Sequence, residues 1–493
     1  MTAERLASAV IEQAKSDPPE RAVLTNCGKA AKQEVPVKRA EKKLTRVPFT
    51  VSRLMEFCTQ RELVNQTGHA VYEWPLVVLK ELVDNALDAC EEAEIAPVIS
   101  ISVRDNSIII ADNGPGIPAK TIKGILDYSI RVSSREAYVS PTRGAQGNAL
   151  KTIMPMAYVL NEQHGEDASG KTIIEANGVA HHVTFSVEHI KQEPKIEHTT
   201  KRSTVTRGTK IKVALPPFRD GWRDLDIFEN SEGRFLQLAE SYAWLNPHLS
   251  LRVAWSGKPV IDIKASNPAW QKWLPSWPTS AHWYDIPRFR RYAAAHIAHD
   301  GKITTRAFIA EFDGMTSTIK QKAVLAETSS SHMRLHKYFG IRKPNAENIA
   351  KLLAAIKAHT KPVKPQDIGV IGRDHLFARM AAAGGEPKAF KYICQPGETN
   401  GVPRLIEVAF GVHHEAFSAG EGPKRKEING VNWSPGINNP FRQLGHSGQT
   451  LDGLLATLRA DMNRPVITVI HVACPRLDYT DRGKSAIVVE SDE

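Results

Sequence analysis

Residues 74–93 constrain the fold more than any other stretch. Leu76, Leu79, Leu82, Val83, Ala86, Leu87 and Cys90 recur at helical spacing behind Pro75, a residue suited to a first helical turn. The spacing predicts a long helix that must bury one side against a partner layer. On that helix Glu81, Asn85 and Asp88 stand at i, i+4 and i+7, and so project from neighbouring turns of one face. An acidic or amide stripe on a helix is by itself ordinarily solvated surface, so its meaning depends on the motifs that accompany it.

Residues 98–104 alternate apolar and polar, turn at Asp105-Asn106 and continue through 107–111, the pattern of a hairpin. Further alternating runs lie at 172–176, 182–187 and 210–215. One helix followed by antiparallel strands predicts an α+β sandwich rather than a doubly wound sheet. Residues 191–206 lack apolar periodicity and are expected to form an exposed loop. From about 285 to 358 the pattern turns helical, with candidates at 293–299, 304–312, 320–326, 331–339 and 346–359. Strand-like runs return at 404–411 and 466–472, around a helical stretch near 451–459.

A chain of 493 residues is too long for one core. The expected organisation is a basic flexible arm at 1–48, an α+β unit at 49–270, a small helical insert at 271–360 and a mixed α+β unit at 361–493. The arm has no aromatic residue and carries a basic run over 38–46. Charged residues make up 24% and no apolar run is long enough to span a bilayer, so no membrane partner is expected and the reading is cytoplasmic, nucleoid-associated if prokaryotic. The five cysteines form neither a CxxC pair nor a metal cluster. A net charge of +10 favours a polyanionic partner such as double-stranded DNA.

Three more elements bear on the polar stripe. Asp112-Asn113-Gly114-Pro115-Gly116-Ile117 comes after the hairpin, placing a carboxylate at the end of an Ile-rich strand, able to accept from the exocyclic amine of adenine, beside glycines that let backbone approach a ligand. Arg143-Gly144-Ala145-Gln146-Gly147-Asn148 precedes a helix-like run, where unpaired N–H groups suit phosphates. Arg207-Gly208-Thr209 leads a strand whose opening can pack against a nucleotide. On the helix, Asn85 offers a neutral oxygen to Mg²⁺, and Glu81, one turn earlier, can orient and deprotonate a water.

Taken in order, ExxxNxxD, DxGxG, the glycine-rich run and the late Gly-Thr resemble the four boxes of the GHKL ATPases, the superfamily of type II topoisomerases, MutL, a heat-shock chaperone ATPase and histidine kinases. Residues 81–89 and 112–118 are particularly similar to the topoisomerase VI B-subunit family. The resemblance covers roughly residues 49–493. It implies a Bergerat ATPase sandwich, a helix-two-turn-helix-like insert and a transducer-like third unit. It also implies ATP and Mg²⁺ as cofactors, with Glu81 as general base and Asn85 as the metal ligand. Asp112 becomes the adenine contact, with Asp88, Gly114, Gly116, Ile117, Arg143 and Thr209 around the nucleotide and Gly144, Gln146 and Gly147 in the phosphate lid. Asp481-Arg482-Gly483-Lys484-Ser485-Ala486 is similar to the family's switch loop, which makes Lys484 the γ-phosphate contact.

Two departures stand out. The lid has Asn148-Ala149 where the family has a further glycine, and only nine residues follow Lys484, which leaves out the long helix that holds the family's DNA-cleaving A subunit. The expected function is the ATP-binding and hydrolysing subunit of a type IIB topoisomerase-like complex, a homodimeric clamp on DNA closed by ATP, with cleavage by a separate A-like subunit. The alternative is an ATP-gated clamp acting in repair, chromatin or defence without strand passage. Asp224-Leu225-Asp226 has the form of a cleavage-domain DxD but reads as part of a helix.

Overall fold

The computed structural model describes residues 58–128, 137–143, 149–162, 168–188, 193–220, 223–229, 231–340, 345–413, 424–442, 450–477, 479 and 486–487. The arm at 1–48, the glycine-rich run with Gly144, Gln146 and Gly147, and the loop with Lys484 lie outside them.

The first unit opens with α1 (Gln60–Thr67), whose N-cap Thr59 accepts from the amide of Glu62. The long helix α2 (Trp74–Glu92) comes next. No side chain caps the start of α2; Pro75 in its first turn and burial of Trp74, Leu79, Val83 and Leu87 define it instead. Strands β1 (Val98–Arg104) and β2 (Ser107–Ala111) form the expected hairpin, with Asp105 and Asn106 both at φ 50°. The chain then runs through α3 (Ala119–Ile125), α4 (Ala149–Glu162), β3 (Gly170–Ala176), β4 (Val179–Glu188), β5 (Glu193–Arg202) and β6 (Thr209–Ala214). A small hairpin, β7 (Phe218–Asp220) and β8 (Arg223–Leu225), leads to α5 (Glu232–Leu245), β9 (Ser250–Trp255) and β10 (Lys258–Ile263).

Eight strands make one mixed sheet in the order β10-β9-β1-β2-β6-β3-β4-β5. Within this sheet β1 and β9 run parallel and the other pairs are antiparallel. Alternation along β1, β3 and β6 buries one face under α2, α4 and α5, which also pack on one another. Their shared core gathers Leu79, Val83, Ile101, Ile110, Ile153, Ile174, Val213 and Tyr242. The result is a two-layer α+β sandwich with the polar stripe of residues 81–88 on its long helix.

Two local expectations fail. Residues 193–202, expected as a loop, pair with β4 in ten-residue register as the edge strand β5. Only Pro194, Ile196 and His198 are half-buried along this edge strand and its second half is exposed throughout, so apolar alternation is weak, and Lys, Glu, Thr and Pro194 are suited to such a margin. Asp224 lies in a strand rather than a helix, and Asp226 turns its carboxylate back to accept from the amide of Phe228 at 2.8 Å.

A helical unit is next, with α6 (Ile286–His299), α7 (Thr305–Ile309), α8 (Thr318–Glu327), α9 (Leu335–Phe339) and α10 (Ala346–His359). Asp285, Thr304 and Asn345 cap α6, α7 and α10 by accepting backbone N–H bonds. Phe289, Tyr292, Phe308 and Phe312 fill its centre in edge-on and tilted contacts. After α11 (Arg373–Ala382) a second sheet forms from β11 (Lys391–Thr399), β12 (Val402–Val412), β13 (Lys426–Val431), β14 (Ser434–Pro435) and β15 (Val466–Ala473), in the order β11-β12-β15-β13-β14. Central β15 is buried along its whole length, with α12 (Leu451–Thr457) over one face and the core of the helical unit reaching the other.

Among the described residues no helix is long and apolar enough to cross a membrane. Cys58, Cys90, Cys394 and Cys474 are free thiols, and no group of His, Cys, Asp and Glu there could hold a metal by itself.

Candidate functional site

Helix α2 is buried on most sides, which gives its polar stripe meaning. Val83, Asp84, Ala86 and Leu87 are buried, whereas Asn85 is exposed and Glu81 and Asp88 are half-buried. A helix that buries nearly everything else and still presents a carboxylate, an amide and a second carboxylate on adjoining turns has left that edge open to a ligand.

Register brings the Asp112 turn to the Gly208-Thr209 strand opening. β2 pairs with β6, Ala111 opposite Lys210, so Asp112 and Thr209 meet at the strand ends. The Asp112 amide donates to Thr209 O at 2.9 Å; in return Asp112 Oδ1 accepts from Gly114 N at 2.8 Å and Thr209 N at 3.2 Å. Burial pushes the Asp112 carboxyl up from its ordinary value, and those donors pull it back only in part. The result is an oriented, half-buried acceptor. Gly208, at φ 76°, passes directly over Asp112; a Cβ there would lie 1.9 Å from the Asp112 carbonyl oxygen.

Asn113 fixes the loop to α2. Its Oδ1 accepts from Val98 N at 2.8 Å and lies 3.5 Å from Cys90 Sγ, while Nδ2 donates to Ala96 O at 3.0 Å. Gly114 lies against Cys90, and Ile117 O accepts from Asn177 Nδ2 at 3.3 Å. Asp112, Gly114, Ile117 and Thr209 therefore gather where the last turn of α2, at Cys90, meets the ends of β2 and β6, and Glu81, Asn85 and Asp88 lie on the preceding turns of the same helix.

Arg143 is placed differently from an open phosphate contact. Its side chain is fully buried; Nη1 donates to Asp88 Oδ1 at 2.8 Å and to Glu91 Oε2 at 2.7 Å, and Nη2 donates to Glu91 Oε1 at 2.6 Å and to Asn246 Oδ1. Burial raises the Asp88 carboxyl, with Arg143 and Lys272 opposing the shift. Burial works against ionised Glu91 too, but Arg143, Lys272 and His248 outweigh it and hold that carboxyl well below the usual range.

Glu91 and Asp84 are site-flanking residues that the sequence motifs do not single out. Glu91 continues the stripe one turn beyond Asp88, a signal open to the same reasoning. Asp84, three residues after Glu81 and four before Asp88, borders the stripe on its buried side: its Oδ1 accepts from Tyr242 Oη at 2.9 Å, and its Oδ2 from Lys80 Nζ at 2.9 Å and Ser434 Oγ at 2.8 Å. The partners Tyr242 and Ser434 lie on α5 and β14, which no local spacing announces.

The donor set fits a magnesium nucleotide: an exposed amide oxygen for the ion, a carboxylate one turn earlier, and a buried acceptor beside a backbone too close for any side chain. Residues 72–219 match the family of histidine kinase-, DNA gyrase B- and HSP90-like ATPases. Over 452 residues the chain is 34% identical to the B subunit of type 2 DNA topoisomerase 6 from Archaeoglobus fulgidus, covering 84% of this chain and 66% of that protein. Identity to the proteins of the same name from Methanococcoides burtonii and Methanosarcina mazei is 33% in each case, over 84% of this chain and 64% of theirs. The chain thus spans just under two thirds of the length of these relatives. A looser likeness, at 13% identity and a TM-score of 0.30, is to the Aquifex aeolicus MutL ATPase domain complexed with ADP, covering 80% of this chain and 90% of that one.

Proposed function

As a GHKL-superfamily ATPase that resembles the topoisomerase VI B-subunit family over most of its length, this chain, we propose, binds and hydrolyses ATP as the nucleotide-driven component of a type IIB topoisomerase-like complex. The observation that carries the reading is the junction of the last turn of α2 with the ends of β2 and β6, where an oriented acidic acceptor lies beside the helix that carries the stripe.

In this reading Asp112 Oδ accepts from the adenine amine, and Gly208 allows backbone to lie flat against the Asp112 turn. Asn85 holds Mg²⁺, which when bound neutralises phosphate charge. Glu81 aligns a water and takes its proton as the water oxygen bonds to the γ-phosphorus and the β–γ bridging bond breaks, releasing ADP and phosphate. Asp88, held by Arg143, orders that stripe rather than contacting the base. From the sequence resemblance alone, Gly144, Gln146 and Gly147 close over the phosphates, and Lys484 meets the γ-phosphate and makes the arrangement of the units depend on the triphosphate.

ATP-driven pairing of two copies, capture of double-stranded DNA and recruitment of a separate DNA-cleaving subunit complete the proposal. The net charge of +10 supports the polyanionic partner. Glu81→Ala tests the chemistry: nucleotide affinity should stay within about threefold while turnover falls by about a thousandfold or more. Turnover at the wild-type rate removes Glu81 from the base role. The same variant, held with ATP and taken from its native host, should retain a tyrosine-nucleophile DNA-cleaving subunit identified by mass spectrometry. Recovery of DNA and this chain alone points to a clamp without strand passage.

A further inference from the structure

The stripe that carries Glu81, Asn85 and Asp88 ends on a buried carboxylate at which several parts of the chain converge. Glu91, 4% exposed at its side chain, receives both terminal nitrogens of Arg143, accepts from His248 Nε2 at 2.9 Å through Oε1, and pairs with Lys272 Nζ at 3.0 Å through Oε2. The side chain of Lys272 is fully buried and its ammonium makes an ion pair here without hydrogen-bond alignment. It also lies 5.0 Å from the centre of the Trp433 ring.

Lys272 stands on the segment that enters the helical unit, which is bound to the segment that leaves it. Trp273 N donates to Ile368 O at 2.8 Å, and Trp270 Nε1 donates to Val370 O at 2.6 Å. Both chain connections of the helical unit are therefore fastened beside the carboxylate. Arg143 brings a further connection: residues 137–143 are held by the helical unit, where Tyr284 Oη accepts from Val139 N at 2.9 Å and Thr279 Oγ1 donates to Val139 O at 2.7 Å. Asn246, the other partner of Arg143, donates to Trp433 O at 2.9 Å in the second α+β unit.

We propose that Glu91 is a positioning residue for the ATPase reaction, the hub through which the ATP-facing stripe of α2 and the helical unit hold each other in register. It acts through Arg143 on Asp88 and through Lys272 on the paired connections of the helical unit. Burying these charges costs desolvation that their mutual attraction largely offsets, so removal of any one partner leaves charge uncompensated in the interior. A shift of α2 by the nucleotide cannot occur without moving Lys272 or breaking this group. The proposal rests on the ATPase reading of the α2 edge.

The test uses the full chain as wild type, Lys272→Met, Glu91→Gln and the double variant. ATP affinity, steady-state kcat and KM, and amide hydrogen exchange over residues 286–359 with and without ATP are measured. Lys272→Met, which leaves Arg143 on Glu91, should keep ATP affinity and KM within about threefold, lower kcat by about tenfold and abolish the ATP-dependent change in exchange. Glu91→Gln should do the same or more, and the double variant should be no worse than Glu91→Gln alone, the non-additivity of partners in one group. An exchange response and kcat unchanged in Lys272→Met overturn the hub while leaving the ATPase reading intact. A wild-type protein that binds no ATP overturns the ATPase reading itself, and the hub with it.

Discussion

At Gly208 the backbone turns with φ 76°, and a methyl group there would lie 1.9 Å from the Asp112 carbonyl oxygen. Gly178 turns almost identically, at φ 77°, but has nothing within 4 Å of such a methyl. The pair separates two costs. Gly178→Ala should lose only the backbone preference, about 1 kcal/mol, with ATP affinity unchanged. Gly208→Ala adds a backbone clash that forces Asp112 away from its strand end, and ATP affinity should fall by about tenfold or more. Equal affinities in the two variants, read by calorimetry or by competition with a labelled nucleotide, sink the close-approach account. Asp112→Asn probes the acceptor itself, since an amide oxygen carries no charge. Adenine nucleotide affinity should drop by about tenfold, and unchanged binding removes Asp112 from the pocket.

Helix α2 does two jobs on adjoining faces, and the second is visible only in the fold. Beside the stripe, Asp84 accepts from Lys80, Tyr242 and Ser434, and so joins α2 to α5 and to β14 of the second sheet. Asp84→Ala leaves the buried Ser434 hydroxyl short of an acceptor and the Tyr242 phenol with Lys80 O alone, and should cost about 2–3 kcal/mol, read as a lower denaturant midpoint. Asp84→Asn, which keeps an acceptor oxygen, should lose less; the reverse order rules out the acceptor role. The two faces differ in how legible they are from sequence. Glu81, Asn85 and Asp88 lie within eight residues, where helical periodicity alone fixes their common face. Thr209 reaches Asp112 through strand register between β2 and β6, and Ser434 reaches Asp84 across two units, so neither follows from spacing. Residues 193–202 read as a loop because the half-buried positions of this edge strand are Pro194, Ile196 and His198, a single aliphatic residue among them, which leaves no apolar alternation to see. Arg143 reads as one of the residues around the nucleotide from its place beside glycines, whereas in the fold its side chain is engaged by Asp88 and Glu91.

Across the whole molecule, the units meet at buried polar groups, and one of them makes cohesion depend on pH. His375, on α11, accepts from Ser266 Oγ through Nδ1 and donates from Nε2 to Trp244 O at 3.0 Å, at the end of α5. Burial, reinforced by Arg379 and only partly opposed by the Trp244 carbonyl and Glu407, pushes its pKa down from 6.5 to about 4. The folded protein thus prefers the neutral ring, while the unfolded chain takes up a proton near pH 6.5. The stabilising contribution is therefore complete above pH 6.5 and is lost progressively as pH falls towards 4. Its ceiling is about 3 kcal/mol for a group this buried. Glu91 and Glu407, both held below the ordinary value of 4.5, begin to lose their contributions only as pH falls towards 4.5, so the upper part of the His375 window is free of them. His375→Gln keeps a donor for Trp244 O but cannot titrate. Thermal unfolding of the wild type should therefore shift down between pH 6.5 and 4 more steeply than that of the variant. Parallel pH profiles would place the acid sensitivity elsewhere in the junction.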